Sequence, residues 1–489
     1  MAEESLSNKT IKGVSWNAID KLANYGIGLI VGLVLARLLS PEEYGLIAII
    51  GIFIAIFNII LDSGLSTALI RKEHVTDIDY STVFYTNLLL SFGLTAFLFG
   101  CAPLIAKFFE RAELVAYIQV MSFILIINAL SITQQAILTK KIDFKTQTKI
   151  SVISNVGSGI IGIALAYTGF GVWALVAQQL SSRTLVTIFL WMYNNWMPKL
   201  IFSWNSFKEL FNFSWKLLVA QIVGTIWGQI YQGIIGKYYS PSTLGQYTQA
   251  RQYSVLASYS LGDVVLKVTL PVMSSIQNED ERLIRAYKKI IKTTMLIISI
   301  IVFGMAASAE SMIYVLIGEK WLPCVPMMQI MSFTFVLYPL HQININMLTV
   351  QGRSDILLIL QVVKCIIAVG PVFCGIYLGI YWMLIGSAVA SWLSFFLNAY
   401  YSGRKFCYTW LMQLKDILPS LGIAFAMAIP VYLLSFIPLS PYILFPFQII
   451  IGAIIVYFLC EKAQLKEYLE LKKILSRDMN RFLKINSNV

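Results

Sequence analysis

Charge is what this sequence has least of. Only 13% of its 489 residues are Asp, Glu, Lys or Arg, while 58% are hydrophobic and the mean hydropathy is +0.73. Soluble domains carry roughly 25% charged residues. That shortage excludes a soluble enzyme, a disordered protein and a nucleic-acid module hung on one membrane anchor. Histidine is almost missing: His74 and His341 stand far apart, so no metal site is expected. Cys101, Cys324, Cys365, Cys374, Cys407 and Cys460 are scattered singly through apolar runs, without metal-type spacing and with no reason to infer disulfides. A phosphate loop of the Gly-x-x-x-x-Gly-Lys-[Ser/Thr] type is absent, which argues against ATP hydrolysis by this chain. Long polar segments are lacking too, the longest being Glu461 to Val489. The N-terminus is acidic and polar, unlike a cleaved signal peptide, so the first apolar run is expected to be retained.

What is present is hydrocarbon. A helix that crosses a bilayer needs about 20 mostly apolar residues. Fourteen runs qualify, at 15–39, 46–70, 81–106, 114–138, 149–168, 171–193, 213–236, 244–270, 286–309, 324–348, 356–378, 381–402, 416–437 and 441–460. Irregular backbone cannot face lipid, so each is read as a helix. The expected fold is therefore all-α integral membrane, with about 14 transmembrane helices. Most of the 37 cations fall in the N-terminus, alternate loops and the tail, against Lys107, Arg111, Lys237 and Lys320 on the other side. The bias places both termini in the cytoplasm. It also accounts for the net charge of +12 without nucleic acid, because positive-inside topology and anionic lipids suffice. Loops on the outer side, such as Gly169–Gly171 and Gly379–Ile380, leave no room for a catalytic domain.

The chain also repeats itself. Ser15-Trp16 matches Ser214-Trp215, and the run from Arg37 through Ser40-Pro41 to Gly45 lines up with Lys237 through Ser240-Pro241 to Gly245. Leu138-Thr139 pairs with Leu348-Thr349, and Gly169 with Trp173 pairs with Gly379 and Trp382. Such ordered matches are the mark of a duplicated transporter. Each copy holds an even number of spans, so the expectation is two six-helix lobes, 1–200 and 201–412, related by an axis along the membrane normal. Residues 413–489 add two C-terminal helices and a basic cytoplasmic tail. The linker Asn194 to Asn212 has apolar residues at helical spacing and is expected to form an interfacial amphipathic helix.

Residues 37–45 (Arg-Leu-Leu-Ser-Pro-Glu-Glu-Tyr-Gly) and 316–321 (Leu-Ile-Gly-Glu-Lys-Trp) resemble the polysaccharide-exporter branch of the multidrug/oligosaccharidyl-lipid/polysaccharide superfamily, that of Wzx-type lipid-linked-oligosaccharide flippases. The resemblance extends over nearly the whole chain. It implies a bacterial inner-membrane protein, not an enzyme, that moves an undecaprenyl-diphosphate-linked glycan from the cytoplasmic to the outer leaflet by alternating access. Polysaccharide polymerase machinery is then a candidate partner, and a monomer is the expected state.

A charge at mid-bilayer costs about 2.5–3.5 kcal/mol even on the mild insertion scale, so each deep charge needs a partner, a water-filled cavity or an escape route. Arg183 lies about 16–18 Å from either end of its run, too deep to snorkel easily. It stands in a polar patch with Gln178, Gln179, Ser181, Ser182 and Thr184. A cavity-facing guanidinium would attract a diphosphate; the structural alternative is a pair with a buried acid such as Asp62. Arg251 accompanies a polar stripe at Gln246, Gln249 and Tyr253, the face of a helix that borders water or protein. Lys364 lies among Ile, Val and Cys and is read as cavity-facing or deprotonated by burial. Gln179, Arg183, Gln249, Arg251, Tyr253 and Lys364 are thus the candidate substrate-binding residues. Asp62 and Glu310 are candidates for coupling to H⁺ or Na⁺, with a structural ion pair as the alternative. Arg37 and Lys237 are expected to snorkel or to bond the last helix carbonyls, and Asp263 with Lys267, like Asp20 with Lys21, to pair within a helix. No other cofactor is expected.

An ion-coupled multidrug/cation antiporter of the same superfamily is the alternative function. Its site would favour acids, whereas the deep charges here lean basic. A glycan polymerase or transferase would need a catalytic loop, and Asp77-x-Asp79 is only a weak, solvent-type motif.

Overall fold

A computed structural model describes residues 6–470, 472 and 473. Among them every regular element is a helix. The chain divides into two compact units, Met1–Gly245 and Gln246–Val489. Most of the tail expected after 461 and the side chains of Asp263 and Lys267 lie outside the described residues.

The first unit is built from α1 (Leu6–Leu38), α2 (Pro41–Asp62), α3 (Leu65–Arg71), α4 (Asp77–Phe108), α5 (Leu114–Ser122), α6 (Ile124–Lys140), α7 (Phe144–Tyr167), α8 (Val172–Tyr193) and α9 (Trp204–Tyr238). Helix α7 packs against α1 and α8, α4 against α5 and α6, and α9 against α2, α3 and α4. Because α9 is fastened to the first six spans, the compact division falls one helix beyond the expected boundary at 200. The linker also differs from expectation. It is no separate interfacial helix: α9 starts at Trp204 and runs unbroken for 35 residues. Phe202, Trp204, Phe207 and Phe211 stack in series along its start, with Trp204 and Phe207 centroids 5.1 Å apart.

The boundary between units passes through the first turns of α10 (Pro241–Ser275). The second unit continues with α11 (Asp280–Ala307), α12 (Ala309–Ile317), α13 (Cys324–Phe335), α14 (Tyr338–Val350), α15 (Ser354–Tyr377), α16 (Ile380–Gly403), α17 (Trp410–Leu433) and α18 (Pro441–Ala463). Its core holds Tyr287, Phe395 and Tyr408, fully buried among Met, Ile and Leu from α11, α14, α16 and α17.

Among the described residues eleven helical stretches are long and apolar enough to span a membrane. Each of the fourteen expected runs is helical. Of the three not among the eleven, α8 is diluted by Gln178, Gln179, Ser181, Ser182 and Arg183, and α1 and α10 lie partly outside the described side chains. Three expected spans are interrupted: α2 and α3 separate at Ser63-Gly64, α5 and α6 at Phe123, and α13 and α14 at Val336-Leu337.

The repeat is visible in local geometry. After α6, Ile142 takes φ +58°, and the amides of Lys141, Ile142 and Asp143 donate to the carbonyls of Ile137, Thr139 and Leu138. After α14, Gly352 takes φ +71°, and Gln351, Gly352 and Arg353 donate to Met347, Thr349 and Leu348. The same turn recurs 210 positions on, as the Leu-Thr matches suggest. The Ser-Pro turns agree as well. Ser40 caps α2 in a capping box with Glu43, and the Ser240 hydroxyl accepts from the Thr243 amide at the start of α10. These two starts cross backbone to backbone. A Cβ added to Gly45 would sit 1.8 Å from the Pro241 carbonyl oxygen, and one added to Gly245 would sit 1.8 Å from that of Pro41.

Candidate functional site

The break in the second span organises the first unit. Helix α2 ends at Asp62, and two consecutive residues then take the left-handed conformation, Ser63 at φ +50° and Gly64 at φ +68°. A serine there stores strain of about 1 kcal/mol or more. The Ser63 hydroxyl donates to the Ile60 carbonyl, and the Ser63 amide to Ile59 at 3.0 Å, which keeps these groups satisfied away from water. Gly64 is required by its conformation and by α9, since an added Cβ would meet the Ser214 side chain at 3.2 Å.

One side of this break is polar. Asn58, Asp62 and Ser66 of α2 and α3, Asn128, Ser131, Gln135 and Thr139 of α6, and Arg183 of α8 line a crevice of about 430 Å³. Asn128 donates to the Asn58 side-chain carbonyl at 2.7 Å, and the Ser66 hydroxyl donates to Asp62. Arg183 is exposed on this wall. Among the described residues its guanidinium makes no hydrogen bond or ion pair, so the structural alternative of an Arg183–Asp62 pair is not what the geometry shows, although both line the same crevice. Its helix is held from behind: Thr187 donates to the Arg183 carbonyl and lies against that of Ile127, and Ser182 donates to Asn155. Asn155 continues to Asn24, and Asn24 and Ser151 both donate to Asp20, a polar thread through α7 to α1. Gln179 is half-buried one turn from Arg183, outside the crevice lining.

The other side of the break is apolar. Ile60, Ser63 and Leu65 meet Leu88, Leu89 and Phe92 of α4 and the aromatic series Phe202 to Phe211 to form a groove of about 920 Å³. Its base is fixed by ions. Lys72 bonds Asp79 at 3.1 Å and Glu209 at 2.9 Å, and Asp79 also completes the capping box of α4 with Thr76. Burial opposes the Lys72 charge, but the carboxylates of Glu209 and Asp79 outweigh it and hold the ammonium above the usual lysine pKa. Lys140 donates to the last carbonyls of α3, Leu69 at 3.2 Å among them, as a cation at a helix C-terminus should. Arg71 lies 4.1 Å above the Phe213 ring.

In the second unit the expected residues are less open. Gln249 and Tyr253 are 2% and 4% exposed, so of the two surroundings expected for the stripe on α10, water or protein, the structure shows protein. The reason lies in its neighbours: the Gln246 amide donates to the Lys320 carbonyl at 2.8 Å, which turns that face inward. Arg251 and Lys364 are half-buried and, among the described residues, make no hydrogen bond or ion pair. Glu310 lies beyond the end of α11, exposed in the first turn of α12. Lys237 does bond a last helix carbonyl, that of Phe108 at 2.7 Å, and pairs with Glu110. That contact pulls the Glu110 carboxyl below its usual range.

Sequence reasoning missed Asn58, Ser66, Asn128, Ser131 and Gln135 as crevice residues. Their signal was there: Asn128, Ser131 and Gln135 recur at i, i+3 and i+7 within an otherwise apolar run.

A family model described as "Polysaccharide biosynthesis protein" matches residues 34–326, more than half of the chain. The Teichuronic acid biosynthesis protein TuaB of Bacillus subtilis is 24% identical over 355 residues, 72% of this chain and 73% of that protein. The Succinoglycan biosynthesis transport protein ExoT of Rhizobium meliloti is 24% identical over 401 residues, 80% and 81% of the two chains. The Lipopolysaccharide biosynthesis protein WzxC of Escherichia coli is 21% identical over 377 residues, 76% of each. Among solved structures, an inward closed form of the lipid II flippase MurJ superposes with a TM-score of 0.74 at 16% identity, covering 94% of this chain and 99% of that one. An inward-facing MATE family transporter of the MOP superfamily gives 0.63 at 17% identity, covering 80% and 98%.

Proposed function

The chain belongs to the polysaccharide biosynthesis protein family and has the fold of the MOP superfamily transporters, and from that premise we propose that it flips an undecaprenyl-diphosphate-linked oligosaccharide from the cytoplasmic to the outer leaflet. The observation that carries the reading is Arg183: a permanent cation deep in a spanning helix, unpaired, on the wall of a polar crevice. An unpartnered charge at such depth is retained for a ligand or a water-filled path. A planar guanidinium matches diphosphate oxygens two at a time, and amides and hydroxyls from Asn58, Asn128, Ser131 and Gln135 suit sugar. Asp62 is engaged by Ser66 and is the coupling candidate kept from the sequence, for H⁺ or Na⁺. The groove across the Ser63-Gly64 break offers the prenyl chain an apolar course beside its headgroup.

In this reading the two lobes, 1–200 and 201–412, related by an axis along the membrane normal, rock between inward- and outward-facing states around a fixed anion site, with both termini cytoplasmic in a bacterial inner membrane. Arg251, Lys364, Gln179, Gln249 and Tyr253 would meet the glycan in other states of the cycle. Anionic lipids neutralise the basic face, and the glycan polymerase receives the product. The relatives named for teichuronic acid and succinoglycan biosynthesis support a surface-polymer substrate. The antiporter alternative rests on fold likeness alone, and an acid-lined drug site would not leave an arginine unpaired.

The test is Arg183→Ala in the native host. The variant is expected to reach the membrane intact yet abolish surface polymer while lipid-linked repeat units accumulate, with Arg183→Lys retaining part of the activity. Full polymer display by the alanine variant would remove the crevice from the mechanism.

A further inference from the structure

The second unit holds a titratable group that the crevice does not use. His74 is exposed in the loop before α4, whereas His341 is half-buried on α14, nine residues before its end. The Asn398 side-chain nitrogen lies 3.0 Å from His341 Nδ1. An amide nitrogen only donates, so Nδ1 is the bare acceptor. On the other side Nε2 lies 3.1 Å from the Ser391 hydroxyl, and that hydroxyl donates to the Thr334 carbonyl at 3.2 Å. Nε2 therefore carries the hydrogen, and the ring is neutral, locked in one tautomer by α16.

The amide that enforces this is itself incomplete. Asn398 is 0% exposed, and its Oδ1 has no hydrogen-bond partner. A buried acceptor without a donor is rare and asks for a reason. A half-turn of the same amide supplies one: Oδ1 would then accept from a protonated Nδ1, while Ser391 goes on accepting from Nε2. The ring environment thus serves both protonation states with one rotation.

Every element packed against α14 bears on that charge. From α15, Lys364 acts on the ring through space. From α11, Tyr287 reaches Asn344, one turn along α14, and also the Ser402 hydroxyl at 2.9 Å. From α16 come Ser391, Asn398 and Ser402, none of them charged, and from α13 Thr334.

We propose that His341 is a proton-binding site that couples transport to the proton gradient, taking a proton from water at Nδ1 and returning it to water later in the cycle. The assignment rests on the flippase reading for its role, but not for its chemistry. With only two histidines in the chain, His74→Gln protein labelled with ¹⁵N-histidine in nanodiscs reports His341 alone. Between about pH 2 and pH 9 the split ring resonances of the Nε2–H tautomer are expected to merge into those of imidazolium. The midpoint is expected to shift in Lys364→Met, where the neighbouring cation is gone. A spectrum unchanged across that range overturns the site. In the host, His341→Gln is expected to lower surface polymer by more than about tenfold. If His341→Gln displays full polymer while Arg183→Ala does not, the coupling role falls and the flippase reading stands. If Arg183→Ala displays full polymer, it is the flippase reading that falls.

Discussion

The two copies of the repeat treat their second helix differently. In the first, α2 stops at Asp62, folds through Ser63-Gly64 and resumes as α3. In the second, α10 passes the equivalent positions 263–264 as unbroken helix. The first unit gains a polar crevice with an unpaired arginine on its wall. The second has an apolar cavity of about 570 Å³ lined by Gly304, Met427 and Gly452, and its polar groups are tied into buried networks such as Tyr287, Asn344 and Ser402. A duplicated fold can therefore divide its labour. One copy opens a polar crevice beside its broken helix, while the other packs polar groups such as Tyr287, Asn344 and Ser402 inside its core.

Making the first copy resemble the second should have the largest consequence. Replacing Ser63 and Gly64 with alanines favours a continuous helix, removes the left-handed pair and crowds Ser214. Surface polymer is expected to vanish while the protein still reaches the membrane, and immunoblots of membranes beside polymer staining measure both.

The crossing of the copies comes next. Gly45→Ala and Gly245→Ala each place a carbon against a backbone oxygen, and each should cost about 1–3 kcal/mol or more in thermal unfolding in detergent. Gly51→Ala, which meets nothing within 4 Å, is the control expected to change little. Unequal losses at Gly45 and Gly245 would break the equivalence of the two turns.

At the base of the groove, Asp79→Ala removes the α4 cap and the partner of Lys72 together, a loss of about 2 kcal/mol. Because the Lys72 pKa is raised on folding, its share of this stability is full below the unfolded lysine value of about 10.4 and fades as pH climbs through the higher folded value. The gap in melting temperature between the variant and the parent should narrow in strong alkali, and again in acid once the parent's Asp79 carboxylate is protonated.

The smallest effect belongs to Glu110, whose carboxyl is exposed and lowered by Lys237. Its contribution is present above the unfolded value of about 4.3 and is lost as pH falls through the lower folded value. Glu110→Gln should differ slightly from the parent near neutral pH and coincide with it in acid, in melting curves run at low salt.

Much of this was legible beforehand. Hydropathy located helices at all fourteen runs, and the Ser-Pro and Leu-Thr matches marked turns that proved alike in hydrogen bonding. Arg183 stood out because a lone arginine deep in a greasy run has no cheap explanation. The interruption at Ser63-Gly64 was hidden, since hydropathy continues through it and a glycine in an apolar helix reads first as a packing residue. The break before Glu310 was hidden too, because the chain is apolar on both sides of Ser308. Gln249 and Tyr253 gave the right periodicity but not the partner, which depends on α10 meeting Lys320 some 70 residues on.

The glycine pair has a further implication. Most tight contacts in a protein can be relieved by trimming the neighbouring side chain, so an enlarging mutation has somewhere to find a suppressor. Here each glycine presses on the peptide oxygen of the other copy's proline, an atom no substitution deletes. Neither position has a local second-site remedy. Only displacement of an entire helix end would make room, which leaves both copies bound to the smallest residue for as long as they cross there.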